Sequence, residues 1–129
     1  MSSDLMMGYY VHAMPTAPLE WEKVAGSDGN HKILRLKGKL SLENVPHFLQ
    51  TMRPEPAAKL FLDMSGVSFI DSAGVGALVQ LYVHRRNKGH AFSLTGLTTQ
   101  GSAIIQVAGL KKFLPTYASV EEALAAGNP

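Results

Sequence analysis

The sequence predicts a single α/β domain in which helices cover a sheet. Short apolar or alternating runs, typical of strands, alternate along the chain with stretches of helical periodicity. The chain has 129 residues, of which 46% are apolar and 17% charged, which is enough to bury one core. No internal repeat or change in composition marks a second domain. We therefore expect a domain over residues 18–129, preceded by an arm over residues 1–17 that packs on the domain or on a second subunit.

The domain is predicted to begin with a hairpin. Residues 19–24 start with strand-like alternation, and the turn-forming residues at 25–30 favour a reversal of the chain. The second strand has the clearest alternation in the chain, with apolar side chains on one side and basic side chains on the other. The apolar set is Leu34, Leu36 and Leu40, and the basic set is Arg35, Lys37 and Lys39. We expect the first face to be buried and the second to be exposed.

A helix and a buried strand are predicted next. The helix has apolar residues at helical spacing, and an N-cap near Asn44 leaves Pro46 in its first turn. Its apolar positions are Leu42, Val45, Phe48, Leu49 and Met52. Residues 60–64 form an apolar run of the length expected for a strand buried on both faces.

Residues 67–76, with the sequence Val-Ser-Phe-Ile-Asp-Ser-Ala-Gly-Val-Gly, link this strand to an amphipathic helix. Asp71 and Ser72 are residue types that favour the N-cap, because their side-chain oxygens accept the unpaired N–H groups of a first helical turn. The apolar face of the helix is predicted at Val75, Leu78, Val79, Tyr82 and Val83. Ser72 should therefore be displayed at the positive end of a helix, where an anion is tolerated.

The remaining elements follow the same alternation. The end of the amphipathic helix carries Arg85, Arg86 and Lys88, which we expect to be solvated. A strand over 91–95 and a helix over 99–108 come next. Three residues are then expected to pack in an irregular or short extended segment, namely Leu110, Phe113 and Leu114. A capping box at 119–122 opens a final helix.

Composition and spacing exclude several classes of protein. No apolar run is long enough to span a bilayer, and the start of the chain does not resemble a secretory signal, so we expect a cytoplasmic protein without membrane insertion. With no cysteine and no close pairing of its five histidines, the chain predicts no metal site. The net charge of +2 is too small to indicate nucleic acid.

Enzymatic roles for the Ser72 turn are also disfavoured. A nucleophile elbow has glycine two residues before the serine, where this chain has Ile70, and no histidine is nominated as the base. Gly74 and Gly76 form only Gly-x-Gly, and Val79 occupies the place of the third glycine of a dinucleotide fingerprint. We therefore predict no catalytic residue and no cofactor. Two alternatives stay open: Ser72 merely helps to cap the helix, or it is modified by another enzyme.

The segment Phe-Ile-Asp-Ser-Ala-Gly-Val-Gly at 69–76 resembles the signature of STAS domains, in particular that of bacterial anti-anti-sigma factors, also called anti-sigma factor antagonists. The resemblance runs from about Leu19 to the C-terminus. It includes Leu36-Lys37-Gly38, the apolar strand before Asp63, Gly109-Leu110 followed by Phe113, and the closing segment 119–124. It implies a compact fold with a four- or five-stranded mixed sheet covered by about four helices.

The resemblance also implies a function without catalysis. Ser72 would be phosphorylated by a partner serine kinase, which in the family is the anti-sigma factor itself. The unphosphorylated antagonist binds that kinase and frees the sigma factor for transcription, and phosphorylation releases the antagonist. The implied partner-binding residues are Asp71, Ser72, Ala73, Gly74, Val75, Gly76, Lys39 and Ser41. Residues 1–17 lie outside the resemblance, and whether they join two copies into a homodimer stays open.

The chain departs from the family pattern at three positions. After Gly38 the family has an acidic residue and, two residues further on, an aspartate, whereas this chain has Lys39 and Ser41. Ala73 replaces a second hydroxyl beside Ser72. A cation in place of a carboxylate changes the electrostatic match to a partner. The alternative is therefore a STAS subunit of a transport assembly, such as the partner of a lipid-transport ATPase.

Overall fold

The computed structural model of the chain describes residues 19–24 and 30–126. The predicted arm over 1–17 and most of the predicted turn at 25–30 lie outside them. Within the described residues, five strands and four α-helices follow one another, and all but the fifth strand lie where the sequence predicted them. The strands are β1 (Glu20–Lys23), β2 (His31–Leu40), β3 (Lys59–Ile70), β4 (Ala91–Thr95) and β5 (Thr116–Tyr117). The helices are α1 (Val45–Met52), α2 (Ser72–Asn87), α3 (Thr99–Val107) and α4 (Val120–Ala125), with a 3-10 turn at Leu42–Asn44.

The strands form one mixed sheet in the order β1-β2-β3-β4-β5, which confirms the predicted fold. β1 is antiparallel to β2, with Glu20 opposite Lys37, and every later neighbour pair is parallel. Parallel neighbours require a crossover connection, and such crossovers are right-handed in nearly all proteins. Because the order advances one strand at a time, α1, α2 and α3 all lie on the same face of the sheet.

The main core lies between these three helices and that face. It contains the even-numbered leucines of β2 and the buried residues of the three helices. The helix residues are Phe48, Leu49 and Met52 of α1, Val75, Ala77, Leu78 and Leu81 of α2, and Ile105 of α3. The predicted inward side of β2 is thus confirmed, as is the start of α1 after Asn44 with Pro46 in its first turn.

The opposite face of β2 is less exposed than the sequence predicted. α4 lies over it and buries Ala123 against Ile33 and Phe61. Arg35 is half-buried there, and its Nε donates a hydrogen bond to Asp63 Oδ2 at 3.1 Å. The alternation from Leu34 to Leu40 did not indicate that a terminal helix covers the basic side. The apolar residue on that same face, Ile33, lies before the segment in which the alternation was recognised.

Asp63 anchors this side of the sheet. Its Oδ1 accepts hydrogen bonds from the Ser65 backbone N–H at 3.0 Å and from the Ser65 hydroxyl at 2.7 Å. Burial alone would raise the pKa of the Asp63 carboxyl, but the hydrogen bonds from Ser65 and Arg35 outweigh it, so the pKa is lowered. Asp63 is therefore held as a carboxylate by its folded surroundings.

The packed face of α2 matches the predicted one in part, because Val75 and Leu78 are buried and Val79 and Tyr82 pack against the core as partly buried residues. Its buried residues are Gly74, Val75, Ala77, Leu78, Leu81 and Arg85, whereas Val83 is 42% exposed. Small residues occupy much of the contact because α2 approaches the sheet closely. The hydrophobic pattern alone therefore left out Gly74 and Ala77 and wrongly included Val83.

Arg85 is the largest single correction, because it is 1% exposed rather than solvated. Its guanidinium donates to three backbone oxygens, at Ala91 (3.0 Å), Glu55 (3.1 Å) and Ala57 (2.7 Å). These oxygens belong to the loop before β3 and to the start of β4. Arg85 therefore holds both of these segments against α2. Burial lowers the pKa of Arg85, and the neighbouring carboxylate of Glu55 partly offsets that effect.

One smaller prediction was wrong, and another was confirmed only in part. Leu42 does not belong to the apolar face of α1, since it lies in the 3-10 turn and is 69% exposed. Phe113 is 42% exposed, although its ring lies 5.0 Å from the ring of Tyr82, whereas Leu114 is buried as predicted.

Candidate functional site

The site is built around Asp71, the residue between β3 and α2. Asp71 has an extended backbone, and its Oδ1 accepts a hydrogen bond from the Gly74 N–H at 2.8 Å, which makes it the N-cap of α2. Its Oδ2 accepts a hydrogen bond from the Leu42 N–H at 3.1 Å. One carboxylate therefore fixes both the start of α2 and the turn that follows β2.

Ser72 is the first residue of α2 and is exposed. It thus lies at the positive end of a 16-residue helix, as the sequence predicted. Asp71, rather than Ser72, performs the capping, so the Ser72 hydroxyl is not needed for the first turn. The structure combines an accessible hydroxyl with a helix start that another side chain already holds.

Gly74 explains why glycine follows the serine. A Cβ at Gly74 would lie 2.1 Å from the backbone oxygen of Leu40, far closer than a carbon and an oxygen can approach. Gly76 is different, because a Cβ there would meet nothing within 4 Å. The first glycine permits α2 to contact the end of β2, and the second leaves the exposed helix surface one turn after Ser72 without a side chain.

Lys39 and Ser41 meet this turn from the end of β2. Lys39 is exposed and pairs in register with Phe69, two residues before Asp71. Ser41 is 7% exposed, and its hydroxyl donates a hydrogen bond to Glu43 Oε1 at 2.5 Å. Both residues therefore belong to the same edge as Ser72.

Glu43 supplies a carboxylate that the sequence analysis did not single out. The Ser41 hydroxyl, the backbone N–H of Glu43 and the charge of Lys39 lower the pKa of Glu43, against an opposing contribution from Asp71. This edge of the domain therefore carries two carboxylates and one ammonium group around an exposed serine.

All eight residues that the resemblance implied for the partner surface are brought together at this edge, but they differ in exposure. Ser41, Gly74 and Val75 are buried, whereas Lys39, Ser72 and Gly76 are exposed, and Asp71 and Ala73 are half-buried. The three buried residues cannot contact a partner through their side chains in this conformation. They shape the surface on which the exposed ones lie.

Further residues complete the site. The side-chain amide of Gln100 in α3 binds the last residue of β3 twice, accepting from the Ile70 N–H at 2.9 Å and donating to the Ile70 carbonyl at 2.7 Å. Leu42 and Phe69 leave 69% and 42% of their surface exposed on either side of Asp71. No sequence signal marked Gln100. Its side-chain amide pairs with the backbone of Ile70 as a neighbouring strand would, and such a contact leaves no pattern in the local sequence.

Other kinds of site have little support. In the part of the chain that the structure describes, no three His, Asp or Glu side chains are grouped closely enough to hold a metal ion. Nor does any helix among residues 19–24 and 30–126 have the length and apolar character needed to cross a bilayer.

A mixed sheet with three helices on one face, and an Asp-Ser pair at the start of the central helix, defines a small α/β domain with an exposed serine at a helix start. The STAS domain family matches residues 23–123, so the chain belongs to that family. This confirms the recognition made from residues 69–76.

Solved structures agree on the fold. A candidate anti-sigma factor antagonist of Thermotoga maritima, TM1081, is 21% identical, with a TM-score of 0.72 over 91% of this chain and 97% of that one. The anti-sigma factor antagonist SpoIIAA in its unphosphorylated form is 18% identical, with a TM-score of 0.68 over 84% and 96%. The murine anion transporter Slc26a9 is 21% identical, with a TM-score of 0.74 over 93% of this chain but only 24% of the transporter.

Proposed function

We propose that this protein is an anti-sigma factor antagonist that is switched by phosphorylation of Ser72. In this proposal the unphosphorylated protein binds an anti-sigma factor serine kinase in the bacterial cytoplasm and so releases a sigma factor. Phosphorylation of Ser72 ends the complex. The protein itself carries out no catalysis and needs no cofactor.

The observation that carries the proposal is the exposed hydroxyl of Ser72 on a helix start already capped by Asp71. A kinase must free the serine hydroxyl from any local hydrogen bond and enclose it in the active site. Ser72 does not cap the helix, so no capping hydrogen bond has to be broken. SpoIIAA, which shares the fold, has also been solved in a phosphorylated form, with a TM-score of 0.63 to this chain.

The fold should tolerate the phosphate. A phosphoserine carries about −1.5 to −2 charges, and the partial positive charge of a helix N-terminus stabilises an anion there. The carboxylates of Asp71 and Glu43 oppose the added charge, and the ammonium group of Lys39 offsets part of that repulsion. We therefore expect a small change in stability and an intact domain.

The complex with the kinase should not tolerate the phosphate on Ser72. Leu42, whose N–H binds Asp71, and Phe69, two residues before Asp71, are exposed apolar residues, and Gly76 leaves the helix surface one turn after Ser72 open to close approach. A partner that covers this surface would bury the Ser72 side chain beneath it. A phosphate there adds both volume and a charge that must be desolvated, and a loss of about 3 kcal/mol corresponds to more than a hundredfold in affinity.

The test uses anti-sigma kinases from the organism that encodes the chain, incubated with the protein and ATP and followed by intact mass measurement. We expect one phosphate on the wild type and on Ser68→Ala, which removes an exposed serine just before the turn, and none on Ser72→Ala. In binding assays Ser72→Ala should retain the kinase, and Ser72→Asp should lose it while keeping the wild-type circular dichroism spectrum. Phosphate on Ser72→Ala, or tight binding by Ser72→Asp, would contradict the mechanism.

A second candidate function is that of a STAS subunit in a transport assembly, for example beside a lipid-transport ATPase. It is favoured by the exposed Lys39 where the antagonist pattern has an acidic residue, and by the fold shared with part of Slc26a9. The same surface around α2 would then dock on the transporter. Co-purification with an ATPase subunit that persists in Ser72→Asp would select this function over the first.

A further inference from the structure

The charges of the chain are unevenly distributed. Residues 72–120 contain five Lys and Arg and no Asp or Glu, whereas the rest of the chain contains seven Lys and Arg and all ten acidic residues. Four of the five cations are exposed, namely Arg86, Lys88, Lys111 and Lys112. The small net charge of the whole chain therefore conceals a basic region.

α2 and α3, which end at or just before these cations, both run back from the end of the sheet that carries Ser72, so both finish at the opposite end of the molecule. α2 has 16 residues, so its C-terminal end lies about 20 Å from Ser72 along the helix. Arg86 donates a hydrogen bond to the Tyr82 hydroxyl at 3.2 Å, and the Tyr82 ring lies 5.0 Å from that of Phe113. These contacts join the end of α2 to the turn that follows α3, which carries Lys111 and Lys112.

Exposed apolar side chains accompany the cations. Val107, the last residue of α3, is 87% exposed, the largest value among the exposed large hydrophobic residues of the described chain. Phe113 is 42% exposed and directly follows Lys112. We call this surface the basic pole, and define it as Arg86, Lys88, Val107, Lys111, Lys112 and Phe113.

Local helix electrostatics explains only part of the pole. Arg86 and Lys88 suit the negative end of the α2 dipole. Lys111 and Lys112 lie beyond the turn at Gly109, which has a φ of +76°, and so are past the end of α3. Lys111 shares a groove with Glu122, and its Nζ donates a hydrogen bond to the Ser102 hydroxyl at 3.3 Å. Neither the helix dipole nor Glu122 explains why two apolar side chains, Val107 and Phe113, are exposed in the same region as these cations.

We propose that the basic pole adsorbs to the surface of an anionic lipid bilayer. Lys111, Lys112 and Arg86 would lie over the lipid headgroups, and Val107 and Phe113 would enter the headgroup region. The combination of cations with projecting apolar side chains is typical of interfacial binding, whereas phosphate recognition in nucleic acids does not use an exposed valine. This is adsorption from one side without a spanning segment.

Adsorption by this end leaves the Ser72 surface facing away from the bilayer. The inference rests on different residues from the proposed function and does not require it. It fits a domain that meets its protein partner at one end while the other end is held near a membrane.

The test is co-flotation of the full chain with lipid vesicles at 0.1 M salt. We expect binding to vesicles of phosphatidylcholine with 30% phosphatidylserine, weak binding to pure phosphatidylcholine, and release at high salt. Each cation near an anionic surface contributes about fivefold in affinity, so Lys111→Ala with Lys112→Ala should lose about 25-fold. Val107→Ser should lose about fivefold through the apolar contribution.

The matched control is Lys23→Ala with Lys37→Ala, which removes the same charge from exposed positions on β1 and β2. We expect the control to stay within about threefold of the wild type, because those charges lie outside the contact. The proposal is overturned if the wild type ignores phosphatidylserine, or if the control loses as much as the Lys111 and Lys112 variant. Binding to duplex DNA in place of vesicles would overturn it in favour of a nucleic-acid surface.

Discussion

The contact between α2 and the end of β2 can be tested by adding one carbon atom at Gly74. A Cβ there would lie 2.1 Å from the Leu40 carbonyl oxygen and 3.0 Å from Ile70 Cγ2. The oxygen belongs to the backbone of a buried strand end, so α2 must retreat by roughly 1 Å to restore contact distance. Such overpacking costs typically 1–3 kcal/mol and occasionally more. Replacing glycine by alanine within a helix returns about 1 kcal/mol at most.

We therefore expect Gly74→Ala to lower the free energy of unfolding by about 2 kcal/mol, which in urea corresponds to a midpoint lower by roughly 1–2 M. Gly76→Ala is the matched control, because nothing lies within 4 Å of its added Cβ. It should raise stability by up to about 1 kcal/mol. The measurement is urea unfolding followed by circular dichroism for both variants. Equal stability of the two variants would refute the close approach of α2 to Leu40.

Other variants test the buried polar groups. Arg85→Met leaves three backbone oxygens without their donor and should cost about 3–5 kcal/mol in thermal or urea unfolding, whereas Arg86→Met, at an exposed position, should stay within about 0.5 kcal/mol. Ser93→Ala should be neutral or stabilising by up to about 1 kcal/mol, because the buried Ser93 hydroxyl has no hydrogen-bond partner, whereas Thr95→Val loses a bond to a strand carbonyl and should cost about 1 kcal/mol. The pKa of Asp63 is lower in the folded state, so its contribution is present above the unfolded pKa and is lost as pH falls through the folded one. Asp63→Asn should therefore be less stable at neutral pH and lose less stability than the wild type below about pH 4.

The order of the elements could be predicted from local signals. Strand alternation in β2, the apolar run of β3 and the turn-forming residues between elements each depend on near neighbours in the chain. The signature around Ser72 then set the number of strands and the mixed sheet through a family resemblance. The sheet order, which follows from the crossover rule once the strands are parallel, and the short strand β5 needed the structure.

The errors share a physical cause, because each concerns a contact between residues far apart in sequence. Arg85 looks like a solvated helix end until the carbonyls of Ala57 and Ala91 are placed around it. Leu42 continues the helical spacing of α1, but the Asp71 carboxylate holds its N–H in a separate turn. Neither partner lies within one helical turn of the residue that it positions, so no periodicity can reveal it.

The charge pattern at the end of β2 shows the same principle at the candidate site. The resemblance implies an aspartate at position 41, and its replacement by Ser41 suggested a surface without that carboxylate. In the structure the Ser41 hydroxyl donates to Glu43, so a carboxylate is held at this position by a hydrogen bond rather than by the residue itself. Lys39 faces the same carboxylate and lowers its pKa. A partner that recognises negative charge beside Ser72 would therefore find it supplied from two residues further along the chain, and the departure at Ser41 alone does not argue against an antagonist.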